Sequence, residues 1–216
     1  EGKPTRPVRI ERPLDFAAVT DHAMNFGATH LCATPGSPAY ESEACVRFRA
    51  PIDLRSPGAN LKSVVRELTQ RIGGDLTSPD ICGADGALCR DAAAVVWQET
   101  LDAAERWNDT SPDCRFTTFV AYEYTATPDL AKVHRNVIFR NDVVPELPIS
   151  YVDEPDVIEM WRKLRAACND AGTGCDALAI PHNSNLSNGQ MFVVDYGDAE
   201  TLEEQAEVAK LRAVME

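Results

Sequence analysis

Four short apolar runs punctuate the chain, and each ends in polar residues: DFAAVT at Asp15–Thr20, FTTFVAYE at Phe116–Glu123, NVIF at Asn136–Phe139 and ALAI at Ala177–Ile180. Brief apolar runs of this kind predict buried strands. Between them, apolar residues recur at helical spacing. Asp91–Trp107 carries Val95, Val96, Ala103, Ala104 and Trp107 as an expected stripe. A second helix is expected from Pro155, a residue suited to a first helical turn, with Ile158, Trp161, Leu164 and Ala167 on one face and a stop by Gly172. A third, strongly acidic, covers Glu200–Met215.

Strands alternating with helices indicate an α/β protein, built as a barrel or an open sheet. Residues 27–90 break the alternation. They are rich in Gly, Pro, Ser and Cys, include CATPGSPAYESEAC and CGADGALC, and show helical spacing only over Leu61–Ile72. A patternless stretch of that length inside a compact domain points to an inserted cover, here read as a lid or rim over a site. The whole chain, residues 1–216, reads as a single domain.

At 216 residues, 44% of them hydrophobic, the chain can bury a sizeable core. Its net charge is -13, carried mostly by the second half. That argues against nucleic acid or an anionic membrane as the main partner, because phosphate selects basic faces. No apolar run approaches the ~18 residues of a membrane helix, and EGKPTRPVRIERP lacks the apolar segment of a signal peptide. A soluble chain is therefore expected, and its charged, proline-containing start reads like the interior of a longer protein.

Six of the seven cysteines fall into near pairs, Cys32 with Cys45, Cys82 with Cys89 and Cys168 with Cys175, leaving Cys114 over. None has the C-x-x-C spacing of a zinc ribbon. Two readings stand: local disulfides, which would make the protein exported or periplasmic, or reduced cysteine used as a small hydrophobe.

Candidate chemistry gathers where the apolar runs stop. Asp21 and His22 follow the first run, at the kind of strand end where α/β folds bind ligands. Glu123 closes the second run and His134 precedes the third; if the two pair as a hairpin, these side chains meet. Arg135 beside them suits either an anionic substrate or a salt bridge. His182 follows the fourth run within AIPHNSNLSNG, where Asn183, Ser184, Asn185, Ser187 and Asn188 could hold substrate oxygens and orient ligands, or form a turn. Imidazole and carboxylate together suit zinc, manganese or iron. Neither a G-x-S-x-G elbow nor a G-x-x-x-x-G-K-[ST] phosphate loop is present.

In this order, RPLDFAAVTDHA, PGSPAYESEAC, FTTFVAYEYTA, HRNVIF and CDALAIPHNSNLSNGQMF resemble the bacterial family DUF3604, grouped with the polymerase-and-histidinol-phosphatase (PHP) metallohydrolases. The resemblance runs from about Arg12 to Phe192. It implies a distorted (β/α)7 barrel holding up to three divalent ions, with His22, Glu123, His134 and His182 as ligands and Asp21 supporting them. The implied activity is metal-dependent hydrolysis of a small anionic substrate, a phosphoester first, by a water whose pKa the ions lower. A carboxylic ester or amide hydrolase and a non-catalytic barrel are the alternatives. Two family motifs are absent: no His-x-His precedes His22, and no Asp-x-His follows His182. The expectation is therefore an incomplete barrel, an internal piece of a larger member, with weak metal binding and little turnover.

Overall fold

The computed structural model describes residues 10–52, 60, 63–64, 76, 78–193 and 196–216. The helix expected over Leu61–Ile72 lies outside them, apart from Ser63 and Val64.

All four apolar runs form strands. β1 (Phe16–Ala18) pairs in parallel with β2 (Thr117–Phe119), placing Phe16 opposite Thr117. β3 (Ala121–Tyr124), β4 (Arg135–Phe139) and β5 (Ala177–Pro181) make a second, antiparallel sheet in the order β3-β4-β5. The run Phe116–Glu123 thus forms two strands, parted at Val120. Pairing nevertheless resumes beyond the break. The Glu123 amide donates to the Asp21 carbonyl at 2.8 Å, and His22 bridges Glu123 in the same parallel register that sets Phe16 against Thr117.

Strand alternation divides the antiparallel sheet into two faces. Tyr122, Tyr124, Val137, Phe139, Ala177 and Ala179 are buried on one. Among the described residues, six α-helices accompany the strands: α1 (Phe26–Ala33), α2 (Glu43–Arg49), α3 (Pro79–Cys82), α4 (Ala87–Trp107), α5 (Val157–Ala167) and α6 (Leu202–Met215). The apolar sheet face shares one core with Trp97 of α4, Ile158, Trp161 and Leu164 of α5, and Val208, Leu211 and Met215 of α6. Each large side chain buried there contributes roughly 1.5–3 kcal/mol.

Local sequence explains the helix ends. Asp156 caps α5 by accepting from the amides of Ile158 and Glu159 at 2.7 and 3.1 Å. Thr201 and Glu204 form a reciprocal capping box on α6. In α4 the inward stripe differs from the expected one. Ala92 and Trp97 are buried and Ala93, Val96, Leu101 and Ala104 half-buried, whereas Val95 and Trp107 are exposed.

The described part of residues 27–90 is less irregular than its composition implies. Among the described residues, α1, α2 and α3 enclose a second core of Ala28, Leu31, Cys32, Ala39, Ala44, Cys45, Leu76, Ile81, Cys82 and Ala92. Disulfides Cys32–Cys45 and Cys82–Cys89 staple it, and Cys168–Cys175 links the end of α5 to the start of β5. Cys114 is free and exposed. α1 lies against the start of α4 so closely that a Cβ on Gly27 would fall 1.8 Å from the Cys89 carbonyl oxygen.

The class is α/β, as expected, but the strands form two small sheets and no closed barrel among the described residues. The connection from β3 to β4 explains part of the difference. It is too short for the crossover of about a dozen residues that parallel neighbours require, so the strands turn back on each other. No helix among the described residues is long and apolar enough to cross a membrane.

Candidate metal centre

The sheet face turned away from the main core carries Glu123 and Asn136 beside Ala121, Ile138, Leu178 and Ile180. In the antiparallel register Glu123 stands opposite Asn136, and the amide of Val133 donates to the Ala126 carbonyl at 3.0 Å. The His182 amide donates to the His134 carbonyl, also at 3.0 Å, extending the β4–β5 ladder to the imidazoles. The His22–Glu123 bridge supplies the remaining side from β1. Four strand ends thus deliver Glu123, His134, His182 and His22 to one place.

Glu123 stands at the centre. Its Oε1 lies 2.7 Å from His22 Nδ1 and 2.9 Å from His134 Nδ1, and its Oε2 lies 3.4 Å from His182 Nε2. The His134 ring is 6.0 Å from that of His22 and 5.7 Å from that of His182, centroid to centroid. The Glu123 and His134 side chains are each 6% exposed, against 65% for His22 and 30% for His182. Carboxylate and His134 make a floor, and the other two imidazoles make a rim open to solvent.

The electrostatics follow from this packing. Burial works against a charged Glu123, but hydrogen bonds from His134, His22 and Thr125 outweigh it and hold the carboxyl well below its usual range. The hydrogen bond to Glu123 raises the pKa of His22, against a smaller opposing effect of burial. A carboxylate kept ionised beneath imidazoles could hold a metal ion by charge and by donor type. One donor atom each from His22, Glu123 and His134 lies within 4.8 Å of the others. Two imidazoles and one carboxylate are a donor set of catalytic zinc sites, in which a fourth position stays open.

The other candidates occupy different places. Asp21 is exposed; it contributes its carbonyl to the bridge and a negative charge that favours charging of His22. Of the two roles open to Arg135, the structure shows the salt bridge. Strand alternation turns it to the core face, where Nε donates to Glu216 at 2.9 Å and Nη1 to the Val133 carbonyl at 2.6 Å. Of the two roles open to the stretch after His182, the structure shows the turn. Ser187 Oγ donates to the Ser184 carbonyl at 2.9 Å, and the Asn185 amide donates to Asn183 Oδ1 at 3.4 Å. Asn183, Ser184, Asn185 and Asn188 are exposed there, and Ser187 is buried.

Three residues escaped the sequence reading. Thr125 Oγ1 donates to Glu123 Oε1 at 2.9 Å and lies 2.8 Å from His22 Nδ1. Thr127 Oγ1 lies 3.4 Å from His134 Nε2. Both follow Glu123 at a spacing of two in Glu123-Tyr124-Thr125-Ala126-Thr127, which in extended chain places all three on one side. That spacing was the available signal. Lys132, half-buried and two residues before His134, carries a charge that opposes charging of His22. Among the described residues its ammonium has no hydrogen-bond or ion-pair partner.

A family model described as "Protein of unknown function (DUF3604)" matches residues 2–216. No curated protein and no solved structure matches the chain.

Proposed function

The chain belongs to the DUF3604 family, and from that premise we propose that it is a metal-dependent hydrolase of the PHP type acting on a small anionic substrate, a phosphoester first. The observation that carries the reading is the convergence of His22, Glu123 and His134, with His182 beside them, from four separate strand ends. Imidazole nitrogen and carboxylate oxygen fit a borderline divalent ion, zinc, manganese or iron. These four side chains make a centre for one ion. A bound divalent ion supplies Lewis-acid polarisation of a substrate oxygen and lowers the pKa of a water toward neutrality.

The protein's own residues do the rest. Glu123 holds negative charge at the floor, His134 is fixed by burial, and the exposed His22 and His182 leave access from solvent. Lys132 supports the anionic substrate class, since its charge reaches His22 while Arg135 is engaged with Glu216. The three disulfides support export to an oxidising compartment.

The test is elemental mass spectrometry on protein purified without chelator, beside the Glu123→Ala and His182→Ala variants. The expected result is metal in the parent, none in Glu123→Ala and a reduced amount in His182→Ala. A parent free of metal after incubation with zinc, manganese and iron would overturn the reading. Hydrolysis of aryl phosphates without hydrolysis of aryl acetates would then establish the phosphoester preference.

A further inference from the structure

The cluster contains one buried hydroxyl that touches two of its members at once. Thr125 is 6% exposed, and its Oγ1 donates to Glu123 Oε1 at 2.9 Å while lying 2.8 Å from His22 Nδ1. Both partners come from different strands, and Glu123 Oε1 is the same oxygen that faces His22 and His134. The two oxygens of a carboxylate are equivalent, but the group turns about the bond that carries it. A hydroxyl donating to Oε1 holds that torsion, with Oε2 facing His182. Thr127, one alternation further along, stands at Nε2 of His134, the ring nitrogen turned from Glu123. Metal-ligating imidazoles commonly need such an outer partner to hold ring orientation and tautomer.

We propose that Thr125 is the positioning residue of this centre, and that its hydroxyl sets Glu123 and His22 in the geometry that grips the ion; Thr127 does the same more weakly for His134. This rests on the metal reading above. It assigns no chemical step to either threonine, only the arrangement of the groups that bind.

The test compares the parent with Thr125→Val, Thr125→Ser and Thr127→Val. Zinc affinity is read by competition with a chromophoric chelator, and ligand geometry by the visible absorption of the cobalt(II)-loaded protein. Valine keeps the shape and β-branching of threonine but cannot donate. Thr125→Val is expected to weaken zinc about 10- to 100-fold, the usual effect of losing an outer partner, and to change the cobalt spectrum. Thr125→Ser should restore most of the affinity and the parent spectrum, and Thr127→Val should show a smaller loss. Thermal unfolding of the metal-free proteins identifies a variant that fails to fold, in which case Thr125→Ala and Thr125→Ser decide by the same two readouts. Parental affinity and spectrum in the hydroxyl-free variant would overturn the proposal and leave the metal centre standing. A parent that binds neither zinc nor cobalt would overturn both.

Discussion

His22 and Glu123 are bridge partners in a parallel ladder, and they meet in the same register that sets Phe16 against Thr117 at the other end of that ladder. Their contact is therefore positioned by backbone pairing first and by side-chain attraction second. The 2.7 Å approach of His22 Nδ1 to Glu123 Oε1 follows from where the strands stop.

Proton competition gives the first prediction. Imidazoles must be neutral to bind metal, so metal affinity falls where they protonate. Contact with Glu123 raises the pKa of His22, so protons are held there to higher pH than by an unperturbed histidine, whose pKa is about 6.5. Zinc affinity should therefore keep climbing as pH rises above about 6.5, rather than levelling there. Chelator competition across pH 5.5–8.5 (roughly) checks this, and an affinity already flat from the lower end would contradict it.

Arg135 gives the second. Its side chain is 6% exposed and that of Glu216 10%, so replacing Arg135 by alanine removes a packed stem and one of two guanidinium partners of a largely buried carboxylate, which keeps Arg212 Nε at 2.7 Å. Losing a hydrogen bond to a charged group costs about 1.5–3 kcal/mol. Urea unfolding of Arg135→Ala should show a loss of that order, while zinc content of the folded fraction stays at the parental level.

Gly27 gives the third. Alanine there would drive a methyl to 1.8 Å from the Cys89 carbonyl oxygen, and because the methyl is fixed by its own backbone and the oxygen belongs to backbone, α1 must move off α4. Overpacking of this kind costs about 1–3 kcal/mol. The thermal midpoint of Gly27→Ala should fall by several degrees, and an unchanged midpoint would mean that the two helices are not so close.

The Cys168–Cys175 bond gives the fourth. It closes a loop with a sequence separation of 7 between α5 and β5, and a loop that short is worth about 2.5 kcal/mol by chain entropy. Paired replacement by serine should cost about that much in denaturant unfolding, and free-thiol counts on the denatured, unreduced parent should find Cys114 alone.

Much of this was legible in the sequence. The four apolar runs became strands because each combines bulky hydrophobes with a polar stop, and their ends marked His22, Glu123, His134 and His182 before any pairing was known. The cysteine pairs also emerged as bonded. What escaped was set by tertiary context. The interruption at Val120 has no compositional marker, since Val120 is as apolar as its neighbours. The α4 stripe was misplaced because Val95 and Trp107 are hydrophobic yet face solvent, while Ala92 is buried against the disulfide-stapled helices. Residues 27–90 look patternless because the small core among their described residues is mostly Ala and Cys, with Leu31, Leu76 and Ile81 far apart in sequence rather than in a periodic row. Arg135 could not be separated from His134 by sequence. Only strand alternation sends one to the centre and its neighbour to Glu216.

The four residues of the centre also span most of the chain, from position 22 through 123 and 134 to 182. An ion gripping His22 and Glu123 would fasten a loop of about 100 residues, against the 7 to 13 residues of sequence separation closed by the sulfur bridges. The disulfides are short local stitches. The ion would be a long-range rivet added to the β1–β2 ladder, so its removal should loosen the attachment of β1 to the hairpin before either piece melts. Such a protein would register metal scarcity first in how quickly it comes apart, and only afterwards in how much of it is folded.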